Sequence, residues 1–139
     1  DVRATAFRDR DRILACTGIL KLNEHEMRVI ADSDDARTVA RDIAARGVSE
    51  VVITLGSYGS VIYAGGRFYD IPAYRPRRVV DTTGCGDTFS TGYLYCRSLG
   101  ASPDEAGRYA AAMCTLKLEH SGPFDGTEED IKEILKNEK

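Results

Sequence analysis

Residues 51–55 read Val-Val-Ile-Thr-Leu and are followed directly by Gly56. The run is short, apolar and rich in β-branched side chains, which is typical of a strand buried on both faces. A second apolar run follows at residues 60–63, after a short turn. The pair Gly65-Gly66 then predicts a hairpin that leads into a third run at residues 68–71. These three runs predict strands around which the rest of the chain is arranged.

Helical patterns lie on both sides of these strands in the sequence. Upstream, residues 13–22 predict a short helix and a strand, and a helix ending at Gly47 follows. Downstream, helices are predicted between Gly86 and Leu99, after the capping box at residues 102–105, and after Thr127. The alternation predicts a single-domain α/β fold with a largely parallel sheet.

Composition limits the classes of protein to which the chain can belong. Its 139 residues are enough for one domain with a buried core. The net charge of −3 leaves no basic surface for nucleic acid or for an acidic membrane. No apolar run is long enough to cross a bilayer. We therefore expect neither nucleic acid nor a membrane as a partner.

The four cysteines are not arranged for a disulfide framework or a zinc site. They are Cys16, Cys85, Cys96 and Cys114. No two form a C-x-x-C pair, and neither His25 nor His120 lies at ligand spacing from them. Reduced thiols of this kind predict a cytoplasmic protein.

Residues 81–87 read Asp-Thr-Thr-Gly-Cys-Gly-Asp and come directly before a predicted helix. Without bulky side chains, successive backbone N–H groups around Cys85 can point at one spot, where the helix dipole adds positive potential. The run therefore predicts an anion hole suited to a phosphate in transit.

Asp87 falls in the first turn of that helix, where the dipole favours its ionised form. A carboxylate placed there could accept a proton from a hydroxyl. The alternative is a glycine-rich turn in which the aspartate only caps the helix. Two other phosphate motifs are excluded, because no G-x-x-x-x-G-K-[ST] run exists and Phe89 replaces the third glycine of a dinucleotide fold.

Four segments together resemble one family. Residues 81–94, DTTGCGDTFSTGYL, are similar to the second signature of the ribokinase-like (PfkB) carbohydrate kinases. Residues 23–26 resemble its N-x-x-E motif, and residues 54–59 resemble its T-x-G-x-x-G nucleotide loop. Residues 117–122 resemble the stretch that closes over the adenine and a monovalent cation. The resemblance covers most of the chain in the family's own order.

The resemblance implies a carbohydrate kinase, a phosphotransferase that uses ATP and Mg²⁺. Asp87 would be the base that accepts the proton of the substrate hydroxyl as it attacks the γ-phosphate of ATP. The backbone N–H groups of Gly84, Cys85 and Gly86 would hold the transferring phosphoryl group, where charge stabilisation contributes most.

The resemblance also implies binding roles for the other motifs. Asn23 and Glu26 would act through water on Mg²⁺, although taken alone they predict a helix start with a capping interaction. Thr54, Gly56 and Gly59 would line the nucleotide, although taken alone they predict a plain strand–turn–strand.

The resemblance also implies a cation site, and the sequence departs from the family pattern at two positions. Asp81 and Thr83 would hold a monovalent cation, K⁺, that braces the anion hole. Cys85 stands where the family has alanine or glycine; either its pKa is depressed at the helix N-terminus and it oxidises easily, or it is a buried, inert thiol. Ala111 stands where many members have Asn or His near the adenine, which weakens any prediction of base selectivity.

The implied fold is a three-layer α/β/α arrangement with a mostly parallel sheet, of which residues 1–139 would be the C-terminal part. The family's N-terminal half, which carries the substrate contacts and the lid, is not recognised here. The opening residues 1–3 resemble the strand that leaves the middle of the full fold. We therefore expect the strand at residues 51–55 to have lost neighbours and to leave an unpaired edge.

Three hypotheses follow for what the chain does. The first is a kinase that phosphorylates a sugar or nucleoside, with the missing half present elsewhere. The second is a nucleotide-binding module without turnover, and the third is an oligomerising fragment whose sheet edge pairs with a second copy. Which sugar or nucleoside would be the substrate is not predicted by these residues.

Overall fold

The computed structural model describes residues 9–137. The helices are α1 (Arg10–Ala15), α2 (Glu24–Ala31), α3 (Ala36–Ala45), α4 (Cys85–Ser98), α5 (Pro103–Leu118) and α6 (Glu128–Asn137). The strands are β1 (Ile19–Asn23), β2 (Glu50–Thr54), β3 (Ser60–Ala64) and β4 (Arg67–Ile71), and a 3₁₀ turn spans Gly56–Tyr58. The predicted opening strand at residues 1–3 lies outside the described residues.

The four described strands form one sheet in the order β1-β2-β3-β4. β1 pairs with β2 in parallel, whereas β2 with β3 and β3 with β4 are antiparallel. The α/β class is confirmed, but the described sheet is mixed, with one parallel pairing among three. The reason is local, since the tight turns at Gly56–Tyr58 and Gly65-Gly66 can join only antiparallel neighbours.

Helices cover both faces of the sheet and make three layers. On β2, Val52 packs into a core with side chains of α4, α5 and α6. Val51 and Ile53 point to the opposite face, into a core formed with α1, α2 and α3. These three β2 side chains are at most 1% exposed, as a strand buried on both faces requires.

The expected loss of neighbours at residues 51–55 is wrong for β2, because β1 and β3 flank it on its two sides. The edge strands of the described sheet are β1 and β4. Among the helices of residues 9–137, none has both the length and the apolarity that crossing a bilayer requires.

Candidate active site

The carboxyl ends of β1 and β2 bring two of the predicted motifs side by side. Asn23, the last residue of β1, is the register partner of Thr54, the last residue of β2. The Thr54 hydroxyl donates to the carbonyl oxygen of Leu22 at 3.4 Å, which ties the two strand ends together. In open α/β sheets ligands bind beyond this end of the strands, so the arrangement positions a binding site there.

Asn23 and Glu26 form a capping box at the start of α2. Oδ1 of Asn23 accepts from the Glu26 backbone N–H at 2.8 Å, and Oε2 of Glu26 accepts from the Asn23 backbone N–H at 2.8 Å. The interpretation as a helix cap is therefore confirmed. It leaves Oε1 of the exposed Glu26 carboxylate without a role in the cap, so the same residue has an oxygen to offer a hydrated cation.

The turn after Thr54 needs its glycines for different reasons. Gly59 has a φ of 90°, and a Cβ there would overlap the carbonyl oxygen of Ile71. Gly56 has a φ of 59°, but nothing lies within 4 Å of a Cβ built on it. Gly59 is thus required by the approach of β4, whereas the space beside Gly56 is open.

The glycine-rich run forms the N-terminus of α4, as predicted. Gly84 is the N-cap residue with a φ of 83°, a left-handed conformation that glycine adopts without strain. The Thr88 N–H bonds to the Gly84 carbonyl at 2.9 Å and begins the helix. The first-turn N–H groups of Gly86 and Asp87 have no intrahelical carbonyl to bond, and the helix dipole points its positive end outward with them.

Lys21 links the sheet to this helix N-terminus. It lies on β1 between Leu20 and Leu22, which face the α2–α3 layer, so its side chain is directed to the α4–α5 layer. A Cβ added to Gly86 would be 2.8 Å from the Lys21 Nζ. The ammonium group therefore lies over Gly86, and the end of β1 is brought against the predicted anion hole.

Asp87 is exposed in the first turn of α4, next to that ammonium-covered glycine. Its backbone carbonyl accepts from the Thr91 hydroxyl at 2.9 Å, and no side chain caps the N-terminus of this helix. The carboxylate is thus not used as an N-cap, a position held by Gly84.

Asp81 organises the turn before the helix. Its Oδ1 accepts from the Thr83 backbone N–H at 2.9 Å, and both the Asp81 and Val80 N–H groups bond to the Leu118 carbonyl. The bond from the Thr83 backbone, with smaller effects of the Thr83 hydroxyl and the Lys117 charge, lowers the pKa of Asp81. Thr83 itself is exposed.

The fit to a monovalent cation at Asp81 and Thr83 is poor, because the ammonium group of Lys117 already lies close enough for its charge to act on Asp81. Lys117 is 4% exposed, and its Nζ donates to the carbonyl of His120 at 3.4 Å. Its charge acts on both Asp81 and Cys85. A second cation would be repelled by this ammonium group, and the K⁺ role stays an untested expectation.

Cys85 is half-buried and Cys114 packs against it. Burial raises the pKa of Cys85 above its ordinary value, and the opposing effect of the nearby Lys117 charge is smaller. Burial also raises the pKa of Cys114 to about 12, and its thiol donates to the Cys85 carbonyl at 3.2 Å. The inert-thiol interpretation of Cys85 is therefore favoured over easy oxidation.

The sequence analysis gave no role to the side chains of two lysines, although Lys117 begins the stretch at residues 117–122 that it related to the adenine and a cation. Lys21 interrupts an apolar strand two residues before Asn23, and a charge at an otherwise buried strand position is a usable signal. Lys117 lies near the end of a helix, where a basic residue is unremarkable, so only its burial distinguishes it. Ala111 is buried in the core of the α4–α5 layer.

A cavity of about 400 Å³ lies between α5, α6 and the loop before residue 81. Its lining includes Arg75, Arg77, His120, Asp125 and Asp130, and of the predicted motifs only the stretch at residues 117–122 contributes to it. Charged side chains of both signs line it, and the adenine role of residues 117–122 stays an expectation.

Known proteins similar in sequence to this chain are carbohydrate and nucleoside kinases. The model of the pfkB family of carbohydrate kinases matches residues 3–130. The chain is 37% identical over 112 residues to an uncharacterized sugar kinase of Archaeoglobus fulgidus, covering 78% of this chain and 44% of that protein. It is 38% identical over 107 residues to a cytidine kinase of Thermococcus kodakarensis, covering 76% of this chain and 38% of that protein. It thus spans less than half the length of these curated relatives.

Solved structures match the fold. A ribokinase of Arabidopsis thaliana, solved with ribose and ATP, gives a TM-score of 0.81 at 28% identity, covering 91% of this chain and 43% of that one. An E. coli protein assigned as a ribokinase II, solved with ATP and Mg²⁺, gives a TM-score of 0.82 at 27% identity, covering 96% of this chain and 44% of that one. The resemblance carried by the four motifs is confirmed.

Proposed function

The chain belongs to the pfkB family of carbohydrate kinases, and from that premise we propose that it carries the nucleotide-binding and phosphoryl-transfer part of an ATP-dependent kinase. The acceptor is a hydroxyl of a sugar or nucleoside, the two substrate classes named among its relatives. The observation that carries the proposal is the position of the Lys21 ammonium over Gly86, directly before Asp87 at the N-terminus of α4.

Asp87 is the general base in this proposal. It accepts the proton of the acceptor hydroxyl while the oxygen attacks the γ-phosphorus and the bond to the β-phosphate oxygen breaks, releasing ADP. Its exposure and its freedom from the helix cap support the role, because a carboxylate already held by backbone donors would be a weaker base.

The N-terminus of α4 stabilises the charge of the phosphoryl group in transit. Gly84, Cys85 and Gly86 contribute backbone N–H groups in this proposal. The open N–H of Gly86 and the helix dipole support it, whereas the Cys85 N–H has a long bond of 3.4 Å to the Thr82 carbonyl that it would exchange for the phosphate. Lys21 adds a full positive charge from the sheet side. A charge fixed in place before the reaction begins needs no reorganisation during it, which is the basis of electrostatic catalysis.

Mg²⁺ and the nucleotide bind at the ends of β1 and β2. Asn23 and Glu26 would hold Mg²⁺ through water, using oxygen atoms that suit a hard cation. When bound, the ion would neutralise charge on the phosphates. Thr54, Gly56 and Gly59 would line the nucleotide, and the open space beside Gly56 supports its part in that role.

The substrate contacts of the whole enzyme belong to the stretch that this chain does not share with its longer relatives. We place residues 1–139 in the C-terminal, phosphate-handling part of the kinase domain. This division explains why the residues identified here account for the reaction and not for the choice among sugars and nucleosides.

The test separates phosphate transfer from nucleotide binding in the Asp87→Asn variant of the full gene product. We expect kcat to fall by about 10²–10⁴-fold, the usual contribution of a general base. The affinity for MgATP, measured by calorimetry, should stay within about two-fold, because the amide keeps the shape of the side chain. Ribose, fructose and cytidine are offered as acceptors. Product formation is followed by mass spectrometry of the phosphorylated product.

Asp42→Asn is the matched control, because Asp42 is exposed on α3, away from α4. It should change neither kcat nor MgATP affinity. Unchanged turnover in Asp87→Asn would exclude Asp87 as the base. MgATP binding without any phosphorylated product would leave a nucleotide-binding module, and absence of binding together with self-association would favour an oligomerising fragment.

A further inference from the structure

Lys117 is a buried cation close to the anion hole. It lies in the last turn of α5 and is 4% exposed. Its side chain runs beneath the N-cap of α4, since a Cβ added to Gly84 would be 3.7 Å from the Lys117 Cε. Burial of an ammonium group is costly unless polar groups compensate its charge, so the surroundings of Lys117 must supply that compensation.

The compensating groups are a carbonyl and a carboxylate. Nζ of Lys117 donates to the His120 carbonyl at 3.4 Å. The Lys117 charge lowers the pKa of Asp81, although the two side chains do not form a direct ion pair. The same charge acts on the thiol of Cys85. Carboxylate and carbonyl oxygens are the groups that hard metal cations recruit in proteins. The environment of this ammonium therefore has the chemistry of a cation site.

The nearby Leu118 carbonyl is no longer available to an incoming ion. It accepts from the Val80 N–H at 2.7 Å and from the Asp81 N–H at 3.4 Å. Oδ1 of Asp81 in turn accepts from Thr83. While the Lys117 ammonium bonds to the His120 carbonyl and acts on Asp81, a second positive charge beside it would be repelled.

We propose that the Lys117 ammonium is a built-in replacement for a dissociable monovalent cation at this place, so that the turn at Asp81–Thr83 and the N-terminus of α4 are braced without K⁺. The inference rests on the proposed function only in taking the N-terminus of α4 to be an anion hole for phosphate. The occupancy of the cation site itself is a separate question, and it is tested without any turnover.

The experiment compares thermal unfolding of the full chain in potassium chloride and in tetramethylammonium chloride at equal ionic strength. Tetramethylammonium is too large to enter a site of carbonyl and carboxylate oxygens. The wild-type Tm should be the same in both salts. A protein with a K⁺ site would be more stable in the potassium salt by linkage, by about 3–5 °C at a concentration of about ten times Kd.

Lys117→Met is the informative variant, because methionine keeps most of the side-chain packing and ends one atom short of the ammonium. It removes the charge and leaves the Nζ position open between Asp81 and His120. We expect a lower Tm in tetramethylammonium chloride than in the wild type, and recovery of about 3–5 °C in potassium chloride. Lys132→Met, on the exposed face of α6, is the control and should respond to neither salt.

Two results would overturn the inference. A wild-type Tm that rises specifically with K⁺ means that the ion binds beside Lys117 and is not replaced by it; this measurement decides the matter even if the variant does not fold. A folded Lys117→Met variant with no response to K⁺ means that the ammonium does not occupy a cation site. Neither result depends on phosphate transfer, so failure here is distinguishable from failure of the kinase assignment.

Discussion

The two ends of helix α4 are built on opposite principles. Its N-terminus leaves backbone donors without intrahelical acceptors and exposes Asp87. Its C-terminal half is tied to the start of β2 by a fully paired polar cluster. There the Tyr93 hydroxyl donates to Oε2 of Glu50 at 2.6 Å, and the Arg97 guanidinium bonds to both oxygens of the same carboxylate and to the Ala101 carbonyl.

The difference shows how one helix serves both stability and chemistry. Cys85 and Arg97 are separated by about 18 Å along the axis, so polar groups can be satisfied at one end and left available at the other. The paired end fixes the helix against the sheet. The open end can then keep unsatisfied donors and a free carboxylate, which a helix held only by its N-terminus could not position.

The largest effect should come from breaking the paired end with Glu50→Gln. Glu50 is 8% exposed, and removing one partner of a buried ion pair leaves the other charge uncompensated. We expect a loss of about 2–3 kcal/mol in the free energy of unfolding, measured by urea denaturation, and MgATP affinity within about two-fold. The value is below that of a fully buried pair, because the Arg97 side chain is 28% exposed.

Asp70→Asn makes the same chemical change in an exposed pair and is the matched control. Asp70 pairs with Arg37, and both side chains are about half exposed or more. Loss of a surface pair costs less than about 1 kcal/mol. If Glu50→Gln weakened MgATP binding as strongly as it weakened folding, the two ends of α4 would not be independent.

A smaller effect is expected from Lys21→Met, which changes the open end. The variant removes the positive charge over Gly86 while keeping most of the side chain. Because bonds to charged groups contribute about 1.5–3 kcal/mol, calorimetry should give an increase in Kd for MgATP of about ten-fold or more. Stability should change by less than about 1 kcal/mol, since Lys21 makes no ion pair among residues 9–137.

Lys132→Met again serves as the control for loss of one lysine charge. Its Kd for MgATP should match that of the wild type. If Lys21→Met lowered stability and left MgATP binding unchanged, Lys21 would belong with the structural groups and not with the phosphate site.

The smallest effect is a dependence of stability on pH. Burial of Glu50 alone would raise its pKa, but hydrogen bonds from Arg97 and Tyr93 outweigh burial and the pKa lies below its usual value. Such a group contributes stability above its unfolded pKa of about 4.3 and loses that contribution as pH falls through the folded pKa. The stability difference between wild type and Glu50→Gln should therefore be constant near neutral pH and shrink below about pH 4.

Features set by short-range geometry were predictable from sequence. The capping boxes at Asn23 and Ser102 satisfy backbone donors within three residues, so their residue types alone indicate a helix start. The hairpin at Gly65-Gly66 and the glycine-rich N-terminus of α4 are local for the same reason.

Features that depend on packing between distant elements were not predictable in this way. Glu50 and Arg97 are separated by 47 positions, and each is an ordinary charged residue in its own segment. Lys21 is brought to Gly86 at the N-terminus of α4 only by the fold, and the described sheet is less parallel than expected because two of its three pairings are antiparallel. The residues of the motifs were identified, while the neighbours that complete them came from the fold.

Gly59 and Gly86 carry different information for tracing how this family loses activity during evolution. Gly59 is forced by the carbonyl of Ile71, so descendants that fold will keep it whether or not they bind a nucleotide. A side chain at Gly86 would meet only the flexible end of Lys21, so an inactive descendant could replace it at little cost in folding. In an alignment, substitution at Gly86 is therefore the earlier sign that selection for catalysis has been relaxed.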